Sequence, residues 1–381
     1  MSNESLSVET STCPQHLTCS GCQFLGETYA SQISSKLKDL RNHLQSQALH
    51  FPGEIRILSA GHQGLRDRLD FTLQENRLGL FEKNSRNIAD LEFCSQLSPA
   101  LQDFLTSFRQ QAWPFTKASM RLRVGPQGQK GIWLDLANID VKTLLDEQKI
   151  LRGLQEQAFV EIGQRRKVPF WTGTEFKLRE PQLNIWFQTW MQDQAVPLYC
   201  HVASFTQPSL KANRLIADQI QTWLKAHVGI RVIEFGSGIG NLTFPALAAS
   251  DSLTACEIDA LSLEGLQKSW DMLSPSLKAK SGELKIHQGD FQKKITKDFR
   301  QFDLILANPP RSGLMGFIDS LSELSSEQRP EYFLYMSCYP ESLAKDLSRL
   351  KEWGYEMKEV SLLDQFPQTT HYEVLTLLQR K

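Results

Sequence analysis

No apolar run in this 381-residue chain approaches the ~20 residues that a membrane-spanning helix needs, so no membrane partner is expected. The stretch from Met1 to Ser11 is polar and lacks the basic-then-apolar layout of a signal peptide, and the protein is therefore expected to be cytoplasmic. Neither sign of charge is in excess: 42 Lys and Arg face 43 Asp and Glu, a formal net charge of -1. A polyanion partner is thus not written into the total, and any nucleic-acid surface has to come from local clusters of Lys and Arg. Internal repeats and low-complexity segments are also missing, which excludes solenoids and disordered arrays. What remains is a globular composition, 41% hydrophobic and 22% charged. The length exceeds one ordinary core and predicts two domains.

Seven cysteines in such a chain do not suit a disulfide framework. Cys200, Cys256 and Cys338 are scattered, and the first two read as buried thiols. Cys13, Cys19 and Cys22 crowd together, with Cys94 further on. Four thiols could hold either zinc or an iron–sulfur cluster, and spacing alone leaves both open.

After the cysteines, Ile33, Leu37, Leu40 and Leu44 recur at helical spacing, with Lys36, Lys38 and Arg41 assigned to the other face. Leu69, Phe71 and Leu73 then alternate with polar residues, and Glu75-Asn76 separates them from Leu78 to Phe81, which predicts a β-hairpin. Residues 121–190 alternate strand-like and helical stretches around a basic knot, Arg165-Arg166-Lys167. Beyond residue 195, short apolar runs begin at Arg231, Leu253, Leu284, Phe302, Tyr332, Met357 and Tyr372. Amphipathic stretches separate the earlier runs, and only a loop separates the last two. That layout predicts an α/β fold: a seven-stranded, mostly parallel sheet of the Rossmann-like methyltransferase kind, closed by an antiparallel hairpin.

The first of these strands runs into Glu234-Phe235-Gly236-Ser237-Gly238-Ile239-Gly240-Asn241. Glycines here let backbone approach a ligand, and the following helix offers free N–H groups. Glu257 ends the next strand, where a carboxylate can accept from ribose hydroxyls. The glycine pattern departs from the dinucleotide form and favours S-adenosylmethionine over NAD. The fourth strand ends in Asn308-Pro309-Pro310-Arg311, at the edge where ligands of open sheets bind. Arg311 stands where an aromatic residue would suggest methylation of an exocyclic amine. The fifth strand delivers Cys338, whose bland reading is a buried filler. Its place at the catalytic edge, before a helix expected to lower its pKa, favours a nucleophile. Glu373, after a loop from Asp364, adds a carboxylate that can accept a proton.

Together QGLR (Gln63 to Arg66), FCSQLSP, SFTQP, EFGSGIGN, ANPPRSG, MSCYPESLAKD and DQFPQTTHYEVLTLL resemble the RNA uracil-5-methyltransferase family over nearly the whole chain. Within it the chain is most similar to the short bacterial 23S rRNA enzymes without a TRAM domain, which share Asn308 where many members carry Asp. The resemblance implies a class I methyltransferase domain at 196–381, preceded at 1–195 by an α+β region that carries the iron–sulfur cluster and binds RNA. It implies a [4Fe-4S] cluster on Cys13, Cys19, Cys22 and Cys94, with a structural or RNA-positioning role. It implies S-adenosylmethionine contacts from Gln207, Gly236, Asn241, Glu257, Asp290 and Asn308, and catalysis by Cys338 and Glu373. Arg66, Arg68, Arg165, Arg166 and Lys167 are candidate phosphate contacts or, equally, a solvated basic face. The expected reaction is methylation of a 23S rRNA uridine by a monomer. The rivals are a tRNA uracil-5-methyltransferase and a non-catalytic iron–sulfur RNA-binding protein.

Overall fold

The computed structural model of the protein describes residues 13–227, 229–290 and 299–381. Its largest sheet has eight strands in the order Arg56–Ser59, Tyr355–Asp364, Glu373–Arg380, Tyr332–Ser337, Leu304–Ala307, Arg231–Phe235, Ser252–Glu257 and Glu283–Gln288. Every neighbouring pair is parallel except the two made by Glu373–Arg380, which is antiparallel on both sides. The inner strands are buried on both faces, so Leu304–Ala307 and Tyr332–Ser337 read as continuous apolar runs and not as alternations.

Helices cover both faces, and their starts are written locally. Ser209 accepts from the Ala212 N–H to begin Leu210–Lys225, Asp259 accepts from the Ser262 N–H to begin Ala260–Asp271, and proline opens Pro340–Glu352. The expected seven strands are joined by an eighth from the N-terminal half. Arg56–Ser59 pairs in parallel with Ser361 to Asp364. Four residues carry too short a pattern to stand out from a loop.

The cores likewise mix the two halves of the chain. Leu40, Leu44, Leu49 and Ile55 pack with Phe235, Phe333 and Tyr335 on one face. Leu58, Trp186, Phe187, Val196 and Leu198 pack with Ile216, Val232 and Leu306 on the other. Residue 195 lies inside the hairpin formed by Asn184–Met191 and Gln194–Cys200, so the division expected there falls within one hairpin.

A separate core belongs to a six-stranded sheet ordered Ile88–Asp90, Arg77–Phe81, Arg68–Gln74, Lys117–Val124, Lys130–Asp135 and Phe159–Ile162. Its hairpin turns on Glu75 and Asn76, with φ of 51° and 66°, the left-handed pair of a two-residue turn. Among the described residues, no helix is long and apolar enough to cross a membrane.

Candidate active site

Antiparallel pairing sets Ser337 opposite Val374. The next residue outward on one strand is Cys338 and on the other Glu373, so register alone brings thiol and carboxylate to one sheet edge. Cys338 is half-buried and Glu373 buried. Burial pushes the Cys338 thiol up, the Glu373 charge adds to this, and Arg311 opposes both. The lowering expected from the helix after Cys338 therefore does not prevail. Burial also pushes the Glu373 carboxyl up to about 7, against a hydrogen bond from Gln365 and the charge of Arg311. A carboxyl poised there can act as a proton acceptor near neutral pH. Cys338 opens onto a cavity of about 410 Å³, whose walls include Asp39 and His43 from the helix Tyr29–Ser46 and His371 and Tyr372 from the Glu373 loop.

On the adjoining strands, Gly236 and Gly238 follow Arg231–Phe235 with φ of 73° and 55°. A Cβ on Gly238 would meet nothing within 4 Å, so this side of the turn is open. Glu257 Oε2 accepts from the Gly238 N–H at 2.9 Å, and its Oε1 accepts from the N–H groups of Ile258 and Asp259. Asn241 donates to Asn213 Oδ1 at 2.8 Å, while its own Oδ1 and Ser237 Oγ are buried without a partner. Such orphaned polar atoms beside a glycine turn suit a polar ligand. Asn308 follows Leu304–Ala307, and its N–H reaches Phe235 O at 3.4 Å, next to this turn. Asp290 is half-buried just past Glu283–Gln288. Gln207 is buried, and its Oε1 accepts from Gln365 Nε2 at 2.8 Å.

Several groups that shape the site gave no recognisable sequence signal. Lys36, assigned from the sequence to the polar side of its helix, is buried, and its Nζ donates to Asp364 Oδ1 at 2.7 Å and Phe366 O at 3.0 Å. One turn earlier, Gln32 exchanges two 2.9 Å hydrogen bonds with Gln368. These contacts pin the loop between Asp364 and Glu373 to the N-terminal helix. The loop bearing Gln207 is pinned in a comparable way by guanidinium groups from the six-stranded sheet. Arg123 donates to His201 O, Val202 O and Thr206 Oγ1, Arg121 to Ala203 O and Ser204 O, and Arg68 to Thr206 O.

Arg68 thus serves the fold and is not left free for phosphate. Arg166 bonds Ser204 Oγ at 3.2 Å, Lys167 pairs with Glu180, and Arg165 is exposed. Arg66 lies over the Phe366 ring at 5.2 Å and lines a cavity with Cys13, Cys19, Cys22 and Cys94. All four predicted cysteines therefore line one small cavity, whose other walls mix leucines such as Leu69, Leu80 and Leu91 with polar residues such as His16, Arg66 and Gln96. Burial, with Cys94, Cys19 and Cys13 adding, pushes the Cys22 thiol up to about 12. Among the described residues, no three His, Cys, Asp or Glu side chains converge on a single-ion site.

A solved structure of Pyrococcus abyssi tRNA (uracil-54, C5)-methyltransferase, in complex with S-adenosyl-L-homocysteine, superposes with a TM-score of 0.66 at 17% identity, covering 94% of this chain and 86% of its own. Residues 211–316 match the methyltransferase small domain family. Fold and glycine turn together define a class I S-adenosylmethionine-dependent methyltransferase. Residues 280–381 match the tRNA (Uracil-5-)-methyltransferase family. An uncharacterized RNA methyltransferase of Bdellovibrio bacteriovorus is 59% identical over 98% of this chain and 96% of its own length. The 23S rRNA (uracil(1939)-C(5))-methyltransferase RlmD of Histophilus somni is 24% identical over 98% of this chain and 82% of its own. The chain belongs to the RNA uracil-5-methyltransferase family. These matches carry the family and do not separate the short TRAM-less subtype from the RlmD type.

Proposed function

We propose that this chain methylates C5 of a uridine in 23S rRNA through a covalent bond between Cys338 and C6. The observation that carries the reading is the convergence of Cys338, Glu373 and Arg311 at one sheet edge. Gln207, Gly236, Asn241, Glu257, Asp290 and Asn308 are the residues that would hold S-adenosylmethionine, and the orphaned atoms of Ser237 and Asn241 fit such a ligand. When bound, that cofactor supplies a methyl group activated by its sulfonium.

Uracil C5 is a poor nucleophile, and Cys338 changes that. Its thiolate, favoured by Arg311, forms a C–S bond at C6 and drives the C5–C6 π electrons toward the C4 carbonyl. C5 then carries the density needed to take the methyl group. Glu373 removes the C5 proton, the π bond re-forms, and the C–S electrons return to Cys338. The base has to leave its stack to reach Cys338, which favours an unpaired RNA segment.

Cys13, Cys19, Cys22 and Cys94 would hold a [4Fe-4S] cluster, since four thiols lining one small cavity suit it. Its part would be structural, tying residues 13–22 to the loop of Cys94 beside the six-stranded sheet. The 23S rRNA assignment draws on the named activity of the RlmD relatives and implies a cytoplasmic protein. Mapping 5-methyluridine in a strain lacking this gene tests it. An rRNA site should lose the mark and regain it with wild-type protein but not with Cys338→Ala. Loss from tRNA with rRNA unchanged would overturn the substrate.

A further inference from the structure

Gln365 is fully buried between two residues of the site. Its Nε2 donates to Gln207 Oε1 at 2.8 Å and to Glu373 Oε1 at 2.9 Å, and its own Oε1 has no partner. The backbone on either side is fixed, because Lys36 holds the Asp364 carboxylate and the Phe366 carbonyl. An ionised carboxylate can only accept, so it commits the Gln365 NH2 to Glu373. The second hydrogen of that NH2 then commits the Gln207 oxygen, and Gln207 is left with its own NH2 as a donor toward a ligand. A protonated Glu373 instead has an O–H to donate, and the unpartnered Gln365 Oε1 can accept it. Turning the amide over removes the donor from Gln207 and favours turning that amide as well.

We propose that Gln365 is a positioning residue that couples the cofactor site to the proton acceptor, so that cofactor held at Gln207 and the charge on Glu373 each bias the other. The proposal rests on the reading of Gln207 as a cofactor contact. Coupling of this kind is reciprocal. Cofactor binding keeps Glu373 ionised and ready to accept, and the proton taken from C5 loosens the grip on the spent cofactor. Among the described residues, the charged or titratable groups around Glu373 include Arg311 from the loop after Leu304–Ala307, Cys338 from the facing strand, His371 and Tyr372 from its own loop, and the Lys36–Asp364 pair behind Gln365. Substituting Gln365 or Glu373 leaves all of these in place.

The test is equilibrium binding of S-adenosylhomocysteine to the full chain, without RNA, between about pH 5.5 and about pH 8.5, either side of a raised carboxyl. Wild-type affinity should fall on acidification by about fivefold or more beyond that of Gln365→Met, in the ordinary range of site–site coupling. The ligand's own amino group titrates in both proteins and drops out of the difference. Glu373→Gln, which keeps an acceptor oxygen but cannot titrate, should show the flattened profile too, and it decides the matter if Gln365→Met does not fold. Parallel profiles for wild type and Gln365→Met, or the wild-type slope in Glu373→Gln, would overturn the coupling. Absence of binding at every pH would sink the cofactor reading itself. Prompt product release by Glu373→Gln with RNA would sink only the proton-acceptor role and leave this linkage standing.

Discussion

Lys36→Met offers a sharp test of how the catalytic loop is held. Both side chains of the Lys36–Asp364 pair are fully buried, and Asp364 Oδ2 already lacks a partner. Methionine keeps the length of the stem but removes the charge, the 2.7 Å bond to Asp364 and the 3.0 Å bond to the Phe366 carbonyl. A buried carboxylate would be left uncompensated, a change that costs about 3–5 kcal/mol. Replacing both partners, as Lys36→Met with Asp364→Leu, removes the stranded charge and should restore about 2 kcal/mol of that loss. Urea unfolding followed by circular dichroism measures both. Methyl transfer should fall further than cofactor binding in the single variant, because the pinned loop carries Gln365 and leads into Glu373. Stability of Lys36→Met within about 0.5 kcal/mol of wild type, the size of an ordinary surface change, would refute the argument. So would a double variant less stable than the single one.

Four further outcomes follow from the structure. Glu373→Gln should still allow attack and methyl transfer but block proton removal, so RNA should remain joined to Cys338 on a denaturing gel; rapid release of 5-methyluridine would assign the proton to another group. In the wild type, the ionised form of Glu373 is the active one and its carboxyl is raised to about 7, so proton removal should slow as pH falls through that value; a flat profile down to about pH 5 would count against it. Cys338→Ala should abolish methyl transfer with cofactor affinity nearly intact, and appreciable turnover would rule out the covalent route. Anaerobically purified protein should carry about four irons per chain, reduced by Cys22→Ser, whereas stoichiometric zinc without iron would refute the cluster.

Much of the fold can be read from local pattern. The runs beginning at Arg231, Leu253, Leu284, Phe302, Tyr332, Met357 and Tyr372 all became strands of one sheet, the inner ones plainest because buried strands need continuous apolar sequence, whereas the exposed edge strand Glu283–Gln288 alternates. Glu75-Asn76 marked a turn through its position between two alternating segments. The helical period of Leu40 and Leu44 was equally plain, yet it misassigned Lys36. Charge normally marks a solvent face, and only a partner 328 residues away makes burial of this lysine tolerable.

By itself, then, the sequence determined the kinds of element, the glycine turn and the chemistry-bearing residue types, since these depend on side-chain periodicity and backbone freedom over a few positions. Tertiary structure alone decided the eighth strand, the mixing of N-terminal residues into the C-terminal cores, and the facing of Cys338 and Glu373 through antiparallel register. It also decided the amide chain from Gln207 through Gln365 to Glu373, and the diversion of Arg68 from phosphate to the Thr206 carbonyl. Hydrogen bonds between residues 158 or 138 positions apart impose no repeat on the sequence between them. They exist only once packing has excluded water and left each buried donor in need of an acceptor.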